Sequence, residues 1–230
     1  MIDWHSHILP GVDDGSRNVE QSLSMIGMLA DQGVRTVVAT PHFYANDESV
    51  DAFLERRGAA WELLQPRLPE NAPQIILGAE VRYYQGISRM ENLRDLRTEG
   101  TKLLLLEMPM AQWPEYAIRE LTEISGKSGI KLVLAHIDRY FDLQKRSVWD
   151  SLYESGILMQ VNADYFAGWM TRGKAISLLK AGGIHFVGSD CHNTTTRAPR
   201  IGQAFGTVRK KLGDEIVNQM NGYGYAALGR

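Results

Sequence analysis

Seven short runs rich in Val, Ile and Leu recur along the chain, at 2–5, 36–40, 74–79, 102–106, 131–135, 158–162 and 185–188. Several are near-continuous apolar stretches, as expected of parallel strands buried on both faces. Between them lie segments with helical spacing: 17–32, with Leu23, Ile26, Leu29 and Ala30 on one stripe behind a Ser16 cap, then 48–66, 86–97, 114–128, 145–155 and 171–182. Gly33, Gly129, Gly156 and the pair Gly182-Gly183 stand where helix C-caps belong. Strands alternating with helices call for right-handed crossovers, and so for an open doubly wound sheet or a closed barrel.

The polar residues choose between the two. The first run delivers Asp3, His5 and His7 at a spacing of two, which the strand pleat places on one face. Later runs lead into His42, Glu80, Glu107, His136 and the segment Ser189-Asp190-Cys191-His192. A doubly wound sheet concentrates its site at one switch point, whereas a barrel gathers its site from the C-terminal ends of many strands. Metal-type residues at six of the seven strand ends therefore predict a distorted (β/α)7, TIM-like barrel. With no repeat, low-complexity tract or Pro/Ser-rich linker to divide it, the chain reads as one domain spanning its 230 residues.

Composition narrows the partners. The 25 Lys and Arg nearly balance the 27 Asp and Glu, so no overall field recruits nucleic acid. The first residues lack the pattern of a secretory leader and no stretch has the length of a membrane span. The single cysteine, Cys191, permits no internal disulfide and fits a reducing compartment. A soluble cytoplasmic protein is the expectation.

His-x-His alone is a common pattern, but five of the six histidines placed with Glu80, Glu107 and Asp190 just past strands is not. Asp14, in Asp13-Asp14-Gly15-Ser16, is a further candidate ligand, although the same four residues also suit an Asx-turn and helix cap. Imidazoles and carboxylates without thiolates suit an open site for Mn²⁺, Fe²⁺ or Zn²⁺. His5, His7, Asp14, His42, Glu80, Glu107, His136, Asp190 and His192 exceed what one ion can use, so two or three divalent ions are implied. Such a site carries net positive charge and attracts phosphate, with a metal-bridged hydroxide as nucleophile. Arg139 and Arg197 follow ligands closely and suit phosphate clamping; with Asp190 and His192 they form the candidate catalytic set.

Other residues are more ambiguous. Asp3 serves either to fix an imidazole tautomer or as a strand-end hydrogen-bond acceptor. His185 falls inside a strand, out of phase with the ligands, and reads as structural or surface. Trp113 and Trp169 suit packing, or the wall of the barrel mouth. Cys191 through Arg197 matches the Cys-x5-Arg spacing of thiol phosphatases, but that loop has no glycine and leaves the ligand set unexplained.

Asp3-Trp4-His5-Ser6-His7, Gly78-Ala79-Glu80, Ala135-His136-Ile137-Asp138-Arg139-Tyr140 and Ser189-Asp190-Cys191-His192-Asn193 together resemble the polymerase and histidinol phosphatase superfamily, in order from residue 1 to about 212. Val12-Asp13-Asp14-Gly15, His136 through Tyr140 and Arg197-Ala198-Pro199 most resemble its bacterial manganese-dependent protein-tyrosine phosphatases of capsule and exopolysaccharide synthesis. The resemblance implies three metals, held by His5, His7, Glu80 and Asp190, by Glu80, Glu107 and His136, and by Asp14, His42 and His192. It also implies Mn²⁺, phosphate binding by Arg139 and Arg197, and a phosphotyrosine-rich tail of a cognate tyrosine kinase as substrate. A small-molecule phosphatase of the histidinol phosphate type is the alternative. A metal-binding regulator with little catalysis and a Cys191-based phosphatase stand further back. Residues 43–60 and 221–230 match no motif, and loops at the mouth are where substrate choice would be set.

Overall fold

The computed structural model describes residues 1–229. Nine strands and eight α-helices alternate along most of it. Strand β1 (Ile2–Ser6) leads through a long loop to α1 (Val19–Asp31), then β2 (Thr36–Ala39), β3 (His42–Phe43) and α2 (Val50–Leu64). Next come β4 (Gln74–Leu77), β5 (Glu80–Arg82), β6 (Leu103–Glu107), α3 (Glu115–Ser125), β7 (Lys131–Leu134) and α4 (Arg146–Glu154). The chain continues with β8 (Leu158–Asn162), α5 (Ala163–Ala167), α6 (Arg172–Lys180), β9 (Phe186–Gly188), α7 (Ile201–Leu212) and α8 (Asp214–Ala227).

All strand pairs are parallel, in the orders β1-β2-β4 and β3-β5-β6-β7-β8-β9. The predicted runs 36–40 and 74–79 form β2 and β4, and each is followed by a further short strand that the reading did not include, β3 and β5, set off where Pro41 lacks an N–H and Gly78-Ala79 crosses between partners. Gly78 N still donates to Ala39 O at 2.8 Å and Glu80 N to Pro41 O at 3.0 Å, so the chain stays in the sheet. Beyond β9, Asp190 N donates to His5 O (2.7 Å) and His7 N to Cys191 O (3.0 Å), which brings the last strand's end beside the first. The result is a curled parallel sheet, consistent with a distorted TIM-like barrel.

Alternation along the strands divides the core. Leu103 and Leu105 of β6 join a small cluster with Ile2, Trp4, Val38, Ile76, Val133 and Phe186, while Leu104 and Leu106 join the large cluster beneath the helices. Both faces of the sheet are therefore covered, as the apolar runs require.

Several expectations are corrected. Segment 86–97 forms two 3-10 turns, Ile87–Arg89 and Leu93–Leu96, rather than a helix, with Gly86 at φ +98° bending the chain away. The first helix is capped by Asn18, whose side chain accepts from Gln21 N at 2.9 Å; Ser16 instead bonds Asn18 O and Ser22 and is buried. Trp113 does not wall the mouth but packs edge-on against Tyr140 and Trp149 in the core. His185 lies just before β9 rather than inside a strand, and of the two readings given it the structural one holds, its Nδ1 accepting from Met159 N at 3.0 Å. Among the described residues no helix is long and apolar enough to cross a membrane.

Candidate metal centre

A register irregularity between Asp3 and Ser6 in β1 shapes the site. Bulges re-aim side chains, and here Trp4 packs into the small core cluster while the next residue, His5, turns toward Glu80 and Asp190. Asp3 does not join them. It accepts from Ser189 N at 2.7 Å, Ser189 Oγ at 2.6 Å and His5 N at 3.3 Å, so it is the strand-end acceptor that ties β1 to the loop after β9. Gly188 permits this closeness: a Cβ there would lie 2.4 Å from that of His5.

The other candidates come from around the sheet: His42 and Glu80 open β3 and β5 just past β2 and β4, Glu107 ends β6, His136 follows β7, and Asp190 and His192 follow β9. His136 and Asp190, at φ 33° and 52°, are the two described non-glycine residues with positive φ. Left-handed backbone at an imidazole and a carboxylate that both face one cluster is strain placed at the site.

Three histidines share one arrangement. His5 donates from Nδ1 to Gln160 Oε1 (3.2 Å), His7 from Nδ1 to Asp13 Oδ2 (2.6 Å) and His192 from Nδ1 to Asp190 O (3.0 Å). Each thereby directs its Nε2 inward, the arrangement that orients imidazole ligands. The Nε2 atoms of His5 and His7 lie 3.1 Å apart. Ligand atoms sharing an ion at bonds of about 2.1 Å sit roughly 3–3.5 Å from one another. Glu80 Oε2 lies 3.1 Å from His5 Nε2, 3.3 Å from His7 Nε2 and 3.1 Å from His42 Nδ1, yet it hydrogen-bonds none of them. His42 Nδ1 and His192 Nε2 are likewise buried without a hydrogen-bond partner. Buried polar atoms left unpaired beside one another are costly, and a divalent ion would satisfy such a donor set.

Three groups of side chains have ligand atoms within 4.8 Å of one another: His5, His7 and Asp190; His7, Asp14, His42 and His192; and His42, Glu80 and Glu107. His136 Nε2 reaches Glu80 Oε1 at 2.9 Å and Glu107 Oε1 at 3.5 Å. All nine sequence candidates are thus brought together. Asp14 is the exposed one, its carboxylate 3.5 Å from His42 and 3.3 Å from His192.

Electrostatics favours positive charge here. Burial opposes protonation of His7, but Asp13, Asp190 and Glu80 outweigh it and raise its pKa well above the ordinary value. Burial likewise opposes ionisation of Glu80 and Asp190, yet the surrounding histidines hold both carboxyls well below their usual range. His192 moves the other way: burial and the charge of His7 depress it to about 4.

Arg139 and Arg197 converge from opposite loops on Asp190, Arg139 Nη2 bonding Oδ2 and Arg197 Nη2 bonding Oδ1 at 2.8 Å. Both guanidinium side chains remain about one-third exposed, 33% and 39%. Asn193 builds the second loop: its Oδ1 accepts from Thr195 N (2.9 Å) and Arg197 N (3.0 Å). Those amides are therefore turned to Asn193 and not to a phosphate cradle. Cys191 is fully buried, which pushes its thiol up to about 12. The loop does not have the form of a thiol phosphatase.

The sequence reading missed Asp13, Gln160, Asn162 and Arg82. Asp13 also accepts from Gly15 N and His42 N; Gln160 Oε1 accepts from His136 N at 2.6 Å; Asn162 Nδ2 donates to Asp190 at 2.9 Å; Arg82 Nη1 donates to Glu107 at 2.9 Å. The signal available for Gln160 and Asn162 was a pair of polar residues two apart inside an apolar strand.

Comparison with known proteins agrees with this geometry. The capsular polysaccharide synthesis family CpsB/CapC matches residues 1–223. Tyrosine-protein phosphatase YwqE of Bacillus subtilis is 34% identical over 226 residues, covering 94% of this chain and 87% of its own. Tyrosine-protein phosphatase CpsB of Streptococcus agalactiae serotype III is 30% identical, covering 96% and 94%. A crystal structure from a study of YwqE and of CpsB from Streptococcus pneumoniae, described as unique metal-dependent tyrosine phosphatases, superposes with a TM-score of 0.81 at 27% identity over 99% of this chain and 94% of that one. An archaeal ribonuclease P structure shares the fold alone, with a TM-score of 0.60 at 10% identity. The clustered imidazoles and carboxylates, the paired arginines and the match over nearly the whole length lead to one conclusion: this chain belongs to the CpsB/CapC family of capsular polysaccharide synthesis.

Proposed function

We propose that the chain is a metal-dependent tyrosine-protein phosphatase. The observation that carries the reading is the set of inward-facing Nε2 atoms of His5, His7 and His192, each held by an Nδ1 bond to a protein acceptor, beside the Asp190 carboxylate on which Arg139 and Arg197 meet. The fold supporting it is read as a (β/α)7 barrel in which β2 with β3, and β4 with β5, each serve as one stave. Residues 1–230 are read as a single catalytic domain.

Two or three ions would be held by His5, His7, Asp14, His42, Glu80, Glu107, His136, Asp190 and His192. Mn²⁺ is the preferred ion, and Fe²⁺ and Zn²⁺ suit the same donors. When bound, divalent ions supply a water-derived nucleophile at neutral pH and neutralise charge on the phosphoryl oxygens. The chain's own groups do the rest. Asp13, Gln160 and the Asp190 carbonyl fix the ring orientations of His7, His5 and His192. The forks of Arg139 and Arg197 bind phosphoryl oxygens and balance the charge that grows on them. Asp190 holds both forks at one point, so the phosphate is met from two sides. The substrate is a phosphotyrosyl protein, and we assign it to a tyrosine kinase of capsule assembly in the cytoplasm.

The test is turnover of a phosphotyrosyl peptide before and after EDTA treatment, with Mn²⁺ restored, beside histidinol phosphate. Activity lost on chelation and regained with Mn²⁺, preferring the peptide, is the expected outcome. Cys191→Ser should stay within about threefold of wild type. Full activity in stripped protein that disappeared only in Cys191→Ser would overturn the reading, as would a strong preference for histidinol phosphate.

A further inference from the structure

Parallel pairing places His42 opposite Glu80 and Phe43 opposite Val81, so the next residues, Tyr44 and Arg82, emerge side by side one step beyond. Side chains two apart share a face of a strand, which sets Tyr44 on the side of His42 and Arg82 on the side of Glu80. Their contacts agree. The Tyr44 ring stacks on His42 with centroids 5.3 Å apart and planes at 28°, and Arg82 bonds Glu107. A cavity of about 150 Å³ opens here, lined among others by Tyr44, Ala45, Asp47, Arg82, Tyr83 and Tyr84.

We propose that this cavity is an aryl subsite that receives the ring of the substrate's phosphorylated side chain, with Tyr44 and Tyr84 as specificity-determining walls. The inference rests on the phosphatase reading and extends it to how an aryl ester is told from an alkyl one. Size supports it, because about 150 Å³ is the volume of a cavity that holds benzene, and here the lining is mixed, with Asn46, Asp47 and Arg82 beside the tyrosines. Chemistry supports it too: Glu107 and Asp47 offset the charge of Arg82, and the tyrosines lining the pocket offer stacking and edge contacts to a flat ring.

Both walls are held in place. Tyr83 Oη donates to Glu120 Oε2 at 2.5 Å and Gly86 N to Glu120 Oε1 at 2.7 Å, which anchors the 83–86 segment on α3. The opposite turn is closed by Asp47 N to Tyr44 O at 3.0 Å, and Arg56 ties Glu48 to the Val12 carbonyl. A preformed pocket of this kind loses little freedom when a ring enters.

Phenylphosphonate and inorganic phosphate separate ring binding from leaving-group chemistry. Calorimetric titration of each into the Mn²⁺-loaded full-length protein should show phenylphosphonate binding about tenfold more tightly or better. That preference should collapse toward one in Tyr84→Ala and in Tyr44→Leu, and return in Tyr44→Phe. A wild-type preference near one, or a preference unmoved by both truncations, overturns the subsite, and the wild-type ratio requires no variant to fold. Turnover of para-nitrophenyl phosphate is measured beside it. A protein that hydrolyses this ester but shows no ring preference loses the subsite alone; one that shows the preference but hydrolyses no phosphoester loses the phosphatase reading alone.

Discussion

At the scale of single residues, the chemistry depends on groups that touch nothing reactive. Asp13 bonds His7 at 2.6 Å, His42 N at 3.0 Å and Gly15 N at 2.9 Å, so one carboxylate orients an imidazole, a second ligand's backbone and the loop bearing Asp14. Asp13→Ala should weaken Mn²⁺ affinity about 10–100-fold, read from the Mn²⁺ dependence of turnover, with Asp13→Asn recovering much of it because its amide oxygen still accepts from His7. An Asp13→Ala protein with wild-type Mn²⁺ affinity would remove Asp13 from this role. Eight of the nine candidate ligands were legible because each stands at or just beyond the end of an apolar run, where a polar side chain has no structural excuse; Asp14, in the loop after β1, also suited a turn and cap and rested on the need for one more donor beside His42 and His192. Asp13 was hidden by its neighbour: in Asp-Asp-Gly either carboxylate can make the Asx-turn, and only the folded loop shows that Asp13 makes it. Arg82 was hidden for another reason, since a lone arginine past a strand has the same pattern as a solvated one until Glu107 is placed beside it.

At the scale of elements, strand positions were readable from apolar runs, but the bulge in β1 was not, because it depends on how Asp3 and Ser6 pair with β2. Segment 86–97 carried helix-like spacing through Ile87, Met90 and Leu93, yet Glu120 and Glu123 capture Gly86 and Ser88 and leave short turns. Two strand contacts are testable. Gly188→Ala would drive a methyl to within 2.4 Å of His5 Cβ and 3.0 Å of His5 N, so we expect a loss of about 1–3 kcal/mol in urea unfolding, with Mn²⁺-dependent turnover falling further than stability does. His185 joins β8 to β9 by accepting from Met159 N, which requires a neutral ring. Burial, then the charge of Lys131, lowers its pKa. The unfolded chain therefore takes up a proton first as pH falls: the contribution is complete above about 6.5 and is lost below it. Comparing the urea stability of wild type and His185→Ala at pH 7.5 and pH 5 should show the gap narrowing in acid; a gap independent of pH would show that the ring's charge does not matter.

At the scale of the whole molecule, α8 packs at the end of the curled sheet away from the candidate metal centre. Residues 221–229 matched no motif because they pack against the small core cluster, which leaves only an amphipathic trace in sequence; Arg230 lies outside the described residues. Tyr223 of α8 packs 5.6 Å from the ring of Phe186, and Leu228 joins Ile2, Trp4 and Phe186 in the small core cluster at the strands' N-terminal ends. Gly224 allows this approach, since a Cβ there would stand 2.9 Å from Ile2 Cδ1 and 3.3 Å from Trp4 Nε1. A side chain at 224 must push α8 off the sheet, so Gly224→Leu should cost about 1–3 kcal/mol by overpacking. In barrels of this kind the C-terminal ends of the strands hold the chemistry and the opposite face holds stability. The substitution should therefore lower the urea midpoint while kcat per folded molecule, measured with Mn²⁺ at low temperature, stays within about twofold of wild type. If kcat fell tenfold with the midpoint unchanged, the two ends would be coupled through β1, where Trp4 and His5 are adjacent, and the division of labour between them would have to be abandoned.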